Sequence, residues 1–508
     1  MKIDFIKRWL VFPFLYPIAV VLDFFFSSYY EATIQGLLFS FITVLLFVGI
    51  TWAIFNFVFK DHSKSALLVF LSTAFFFSFQ NIVFTLITVS NRVMGVDSVK
   101  YFVSNAGQRF VFGFLVLFIV IFLIFVRKLQ AVSGNTIVFL NLLSIVFLFA
   151  TVIRGSVAIY RINAVRQNFE QYWDNEIEGI DTLKVGYVEE KPDIYYIILD
   201  GFARSDILLD LYGLDNSNFI KALQDKGFYV SSESSANYPT TRTYLASTLN
   251  MRYLNDVSAF IGDDSSIAYA AYTMIDNSVA EKMLRLIGYE MTSFRSITSY
   301  TFFSDWDNLY QPQFHPDYYT QTFISNTGLS IFLNSQMYRW HYNLINYAID
   351  TLPEAVGDES PKFVFAHILC PHPPFIFRPD GSIIIENQLF MINDGDSFFR
   401  IAFEDDYRTG YKSQVTYIQD AILETIDEII GNSEGPLIIV LQADHGSRMQ
   451  DNYSERRGIL NAIYFYDQDY ELLYPQISPV NTLRVIFSNY FGIDKPLLED
   501  KFYYNFDN

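Results

Sequence analysis

A chain of 508 residues is too long for one hydrophobic core, and its 51% hydrophobic content sits unusually beside a net charge of −19. The average hides two unlike parts: residues 1–153 carry 10 Lys and Arg against 5 Asp and Glu, whereas residues 154–508 carry 25 against 49. The acidic remainder excludes nucleic acid as a partner, since a phosphate backbone needs a basic stripe, and the single Cys370 excludes an internal disulfide and any multi-cysteine zinc or redox site.

The first elements are apolar. Trp9–Ser28, Ile34–Phe59, Ala66–Val89, Phe110–Val126 and Thr136–Ile153 each approach the ~20 residues that a bilayer span needs, which predicts a membrane domain of five helices over 1–153. Lys7 and Arg8, Lys60 and Lys64, and Arg127 and Lys128 flank the ends expected inside; Arg92, Lys100 and Arg109, then Arg154, Arg161 and Arg166, fall on the other side. On this bias an odd number of spans places the C-terminal domain outside the cell membrane. No small-residue cleavage site follows the first span, which reads as a retained anchor.

Residues 154–191 form an amphipathic linker. Val157, Tyr160, Ile162, Val165, Phe169 and Trp173 recur at mostly helical spacing, and such a helix either lies on the membrane or packs against the soluble domain. From Pro192 strand-like runs alternate with helical ones over a domain 192–508. Strands are expected at 193–199, 228–231, 362–369, 437–441 and 459–465, with helices at 218–226, from 241, at 410–430 and at 480–490. The alternation predicts an α/β sandwich with a largely parallel central sheet. Between about Asn255 and Glu359 the periodicity is weaker, and helices and loops that shape a pocket are expected.

Chemistry concentrates at the strand ends. The run 436–443 ends in Asp444-His445-Gly446, and the run 193–199 ends in Asp200-Gly201. Ligands gather at the carboxyl ends of strands in an open parallel sheet, so Asp200, Asp444 and His445 are candidate ligands of a divalent cation. Thr240 and Thr241 precede a helical run, where unpaired N–H groups favour an anion. Either can be an ordinary N-cap; beside a metal, one becomes a candidate nucleophile. His367 and His372 close a third strand. His372, between prolines, is placed to bind phosphate oxygens or protonate a leaving group, and His367 reads as second metal ligand, support for a ligand, or core histidine.

The order strand-Asp200, Thr, His-rich Pro loop, strand-Asp444-His445-Gly446 resembles the alkaline phosphatase and sulfatase superfamily. With five spans ahead of an outward domain, the layout is similar to lipoteichoic acid synthases and lipid A phosphoethanolamine transferases. The resemblance implies that Asp200, Thr241, Asp444 and His445 bind one catalytic metal (manganese, magnesium or zinc), that Thr241 is also the nucleophile, and that His367 and His372 belong to the substrate and second-metal region. Two departures stand out: Asn237-Tyr-Pro-Thr-Thr-Arg242 lacks the Cys or Ser of a sulfatase, and no histidine follows His445. The expected activity is a membrane-bound phosphotransferase. It would move a phosphoglycerol- or phosphoethanolamine-type headgroup from a membrane lipid through a phosphothreonine to a cell-envelope glycan or water. The alternatives are a surface phosphoester or sulfoester hydrolase on the same site, an inactive binding protein and a transporter, the last opposed by Asp23 being the one acid within the spans.

Overall fold

The computed structural model describes residues 9–94, 105–128, 131–180, 186, 190–261, 264–355, 361–385, 390–392, 404–449 and 453–503. Lys7, Arg8 and Lys100, which enter the orientation argument, and part of the 154–191 linker lie outside the described residues. The chain divides into two compact units. The first holds residues 1–161, 316–338 and 385–391, and the second the remainder.

The first unit is helical: α1 (Phe12–Ser27), α2 (Ile34–Phe59), α3 (His62–Met94), α4 (Asn105–Lys128) and the start of α5 (Gly134–Glu176). Four of these are long and apolar enough to cross a membrane, while α1 is a shorter apolar helix of 16 residues. Ile34, Leu46, Phe57, Phe114 and Phe149 stand exposed on them, a surface that lipid rather than water accepts. Asn141 on α5 donates to Trp9 O at 2.7 Å and accepts from the backbone N–H groups of Val11 and Phe12, tying down the start of α1. Asp23 pairs with Arg154, so the one acid in the spans has a counter-ion.

The second unit contains the sheet. Its chain order is β1 (Asp193–Leu199), α6 (Ser205–Tyr212), α7 (Ser217–Asp225), β2 (Tyr229–Val230), α8 (Thr241–Thr248), α9 (Asn255–Ile261), α10 (Asp264–Asp276), α11 (Val279–Ile287), β3 (Glu290–Phe294) and β4 (Asn308–Tyr310). The chain then passes through α12 (Tyr318–Asn326) and the start of α13 (Ser330–Thr351), which belong to the helical unit, before β5 (Lys362–Ile368), α14 (Glu404–Asn432), β6 (Leu437–Gln442), α15 (Tyr453–Arg457), β7 (Asn461–Phe465) and α16 (Pro479–Phe491). The strands form one mixed sheet, β2-β7-β6-β1-β5-β3-β4, parallel from β6 to β4 and antiparallel at β2 and β7. β1 is buried from Ile194 to Leu199 on both faces, which is why it reads as an unbroken apolar run. Parallel neighbours β5 and β6 put three carboxyl ends side by side, with Ile198 level with both His367 and Gln442.

The weakly periodic stretch holds more than helices and loops. It contributes β3 and β4, strands of five and three residues, too short to show alternation. It also supplies α12 and the first turns of α13, which fall in the helical unit. There Phe323 joins the core of Val21, Val44 and Val48, and Tyr319 approaches Ser40 Oγ at 3.3 Å.

Helix α5 runs unbroken for 43 residues, roughly 64 Å at 1.5 Å per residue, about twice a hydrocarbon core. The change of composition near residue 153 therefore does not end the helix. Phe169 and Trp173 near its end are buried in the core of the second unit; the indole Nε1 donates to Asn277 O at 2.9 Å and the Arg252 guanidinium lies 5.5 Å from the ring. Of the two settings for this stretch, packing against protein is the one these side chains occupy. Tyr160, 75% exposed, is outside that contact. Trp173→Ala should cost about 3–5 kcal/mol, read as a lowered unfolding midpoint of the detergent-solubilised full chain, whereas Tyr160→Ala should stay within about 0.5 kcal/mol of the parent.

Candidate metal centre

Asp444 follows β6 and is completely buried. Its Oδ1 accepts from the backbone N–H of His445 at 3.0 Å and of Gly201 at 3.1 Å, so the turn after β1 is tied to the turn after β6 through one carboxylate oxygen. Glycine is required at both turns. Gly201 has φ +76°, a conformation that costs other residues strain, and a Cβ on Gly446 would lie 2.3 Å from Glu455 O and 2.8 Å from Gly458 O. These two glycines let Asp200, Asp444 and His445 crowd together.

The crowding has a chemical direction. His445 Nδ1 donates to Gly446 O at 2.7 Å, which leaves Nε2 with its lone pair pointed inward. Nε2 stands 3.5 Å from Asp200 Oδ1 and 3.6 Å from Asp444 Oδ2. Burial holds the imidazole below its ordinary value, against the pull of both carboxylates, which keeps that lone pair available. Asp200 Oδ1 is buried and has no hydrogen-bond donor among the described residues. Three acceptors turned on one point repel one another and leave desolvation uncompensated unless a cation lies between them. Asp200, Asp444 and His445, with ligand atoms all within 4.8 Å of one another, therefore fit a divalent metal, and oxygen and imidazole donors are compatible with manganese, magnesium or zinc.

Thr241 adds the hydroxyl. It opens α8, and its Oγ1 donates to Asp444 Oδ2 at 2.5 Å. Thr240 has the extended backbone of an N-cap and spends its hydroxyl on Thr243 Oγ1 at 2.8 Å, away from the carboxylates. One turn further along α8, Tyr244 OH donates to Gln442 Oε1 at 2.6 Å, and Tyr196 OH on β1 reaches the same atom at 2.6 Å. Gln442 Nε2 donates in turn to Thr482 Oγ1 at 3.0 Å. This fully buried network fixes the helix that carries Thr241 against the two strands that carry Asp200 and Asp444.

The histidines of the third strand end face Asp200. His367 is 4% exposed, with Nε2 3.4 Å from Asp200 Oδ2 and Nδ1 3.3 Å from Ser296 Oγ. Burial lowers its basicity, but the contact with Asp200 outweighs burial and raises it. The backbone N–H of His372 donates to Asp200 O at 3.1 Å, its Nδ1 meets Pro373 O at 2.5 Å, and its ring centroid lies 6.5 Å from that of His445. Around Asp200, burial pushes the carboxyl up, while the imidazoles of His372, His367 and His445 outweigh it and bring it below the usual range.

One helix holds the three loops. On α14, Tyr407 OH accepts from the backbone N–H of Arg448, Tyr411 OH bridges Gly201 O and the Ala203 N–H, and Gln414 Nε2 donates to the carbonyls of Pro371 and His372. These positions lie on one stripe of the helix. None of the three, nor Ser296, Tyr244 or Gln442, stands out in the sequence as part of the site. Only Gln442 leaves a trace, as an amide within an otherwise apolar strand.

No family model and no curated protein matches the chain. Solved structures do. The integral membrane lipooligosaccharide phosphoethanolamine transferase A of Neisseria meningitidis is 12% identical, with 96% of this chain and 95% of that one covered at a TM-score of 0.41. The C-terminal periplasmic domain of EcEptC from Escherichia coli, in complex with Zn, is 13% identical over 60% of this chain and 84% of its own, at 0.41. The lipoteichoic acid synthase LtaP of Listeria monocytogenes is 13% identical over 62% and 76%, at 0.36.

Replacing Asp444 by Asn keeps the shape but removes charge from the carboxylate shared by both strand turns and Thr241. Metal affinity of the purified full chain, followed by elemental mass spectrometry after dialysis, should fall by more than about 100-fold. Undiminished metal in Asp444→Asn would contradict the assignment.

Proposed function

We propose that the chain is a membrane-bound, metal-dependent phosphotransferase that takes a phosphoryl-linked headgroup, of phosphoglycerol or phosphoethanolamine type, from a lipid donor through a phosphothreonine at Thr241. The observation that carries this reading is the 2.5 Å hydrogen bond from Thr241 Oγ1 to Asp444 Oδ2, beside the converging Asp200 Oδ1 and His445 Nε2. A hydroxyl aimed into a cluster of metal-ligand type is a nucleophile's position rather than a cap's. The order of motifs along the sequence, which is similar to that of the lipid-headgroup transferases, supports the same conclusion.

In-line attack forms the Thr241 Oγ–P bond and breaks the P–O bond to the lipid alcohol. The Thr241 proton passes to Asp444 Oδ2 along the existing hydrogen bond. His372, whose Nδ1 is engaged with Pro373 O, delivers a proton from Nε2 to the departing alkoxide, giving diacylglycerol or a similar alcohol. Asp200, Asp444, His445 and Thr241 would hold a divalent cation, which would supply charge neutralisation for the phosphoryl oxygens. In the second step a glycan hydroxyl or water forms a new O–P bond as the Thr241 Oγ–P bond breaks; the acceptor's proton goes to His372 Nε2 and the proton on Asp444 Oδ2 returns to Thr241 Oγ1.

Five apolar helices, α1 included, serve in this proposal as a multi-pass anchor in the plasma membrane. The N-terminus lies inside, and the catalytic domain 192–508 faces outward, where lipid headgroups and envelope glycans meet. Buried ionisable groups of a transport path are not needed, and Asp23 is already paired with Arg154. Thr241→Ala should lower metal-dependent turnover of the lipid donor by about 10³-fold or more, and Thr241→Ser should restore part of it. Full activity in the alanine variant, with metal bound, would refute the nucleophile.

A further inference from the structure

Arg242 follows Thr241 in the first turn of α8. Its guanidinium carbon lies 5.4 Å from the ring centroid of Tyr272 on α10 and 5.8 Å from that of Tyr300 in the short 3-10 turn Ser299–Thr301. Four other arginines of this unit pair with carboxylates, Arg204 with Asp206, Arg252 with Asp256, Arg285 with Glu281 and Arg408 with Glu404, while Arg295, Arg378 and Arg484 donate to amide, hydroxyl or carbonyl oxygens and Arg457 lies over the ring of Phe502. Arg242 has no carboxylate partner and no hydrogen bond among the described residues, although residues 154–508 carry 49 acids against 25 bases. Nor does helix stability explain it, because a cation in the first turn opposes the helix dipole.

Two aromatic rings can steady a guanidinium without consuming its N–H donors, which leaves a planar fork for an anion. The turn that supplies Tyr300 belongs to the same loop as Ser296, whose Oγ is 3.3 Å from His367 Nδ1, and His367 in turn contacts Asp200. The arginine is thereby joined to the candidate site from two sides, through Thr241 and through this loop.

We infer that Arg242, held by Tyr272 and Tyr300, binds the phosphate oxygens of the substrate at Thr241. The inference rests on the phosphotransferase reading and deepens it, since it assigns a recognition element for the phosphoryl anion outside the metal ligands. Because the fork is bidentate and the rings carry no charge, recognition falls on the phosphate rather than on the headgroup beyond it.

The test uses the manganese-loaded full chain in detergent. Inorganic phosphate is the ligand in calorimetry, and bis(4-nitrophenyl) phosphate is the turnover probe. Arg242→Gln should weaken phosphate binding and raise KM by about 10-fold or more with metal content unchanged, and Arg242→Lys should fall between the two. Replacing both Tyr272 and Tyr300 by Leu should weaken phosphate by about 3-fold through loss of the rings. Phosphate affinity within about 2-fold of the parent in metal-replete Arg242→Gln would overturn the inference while leaving the phosphotransferase reading intact. Should that variant fold poorly, Arg242→Lys decides: parent affinity and parent KM would overturn the inference equally. A wild-type protein that binds metal but neither binds phosphate nor cleaves the diester would overturn the broader reading and this inference together.

Discussion

The carboxylate of Asp444 is the constraint on which the site depends. A fully buried carboxylate is tolerated only when its oxygens are answered. Here one oxygen is answered by two backbone N–H groups from different strand turns and the other by Thr241. The placing of the two turns, the local charge and the orientation of the Thr241 hydroxyl are thus set by a single side chain. Its second oxygen also belongs to the group of lone pairs that Asp200 and His445 complete, so the arrangement that needs a cation is the one that orients the hydroxyl.

Around that carboxylate the protein invests in rigidity. The parallel sheet delivers β6, β1 and β5 side by side, α14 fastens the three loops that follow or flank them, and the Tyr196–Tyr244–Gln442 network locks α8 to the strands. Among the described residues these contacts reach the strand-end turns through backbone groups, and they fix where each candidate ligand stands. Outer contacts of this type commonly tune metal affinity and activity.

Much of the candidate site was legible because its residues are local in sequence. A strand buried on both faces reads as an apolar run, and a carboxylate or imidazole just beyond it marks the carboxyl end, which is how Asp200, Asp444 and His445 emerge. Whether Thr240 or Thr241 faces the site depends on the azimuth of a helix, and composition does not give that; the hydrogen bonds of the two hydroxyls do. The supports Tyr411, Gln414 and Ser296 were illegible because each acts on a segment dozens or hundreds of residues away. Strands β3 and β4 were missed because five and three residues carry too little periodicity, and the packing of Phe323 among the N-terminal helices depends on long-range contact. At residue 153 the hydropathy change is real, but it marks a change in surroundings rather than a break in α5.

The central claim is that Thr241 takes up a phosphoryl group in a metal-dependent step. Its most direct test is the intact mass of the full chain after incubation with manganese and a bacterial lipid extract, with Thr241→Ala treated identically. The account predicts an added mass on the wild type alone, equal to a phosphoryl-linked headgroup and absent when the metal is chelated. The same added mass on Thr241→Ala, or an unmodified wild type that consumes the lipid donor even when the reaction is acid-quenched at early times, would contradict it.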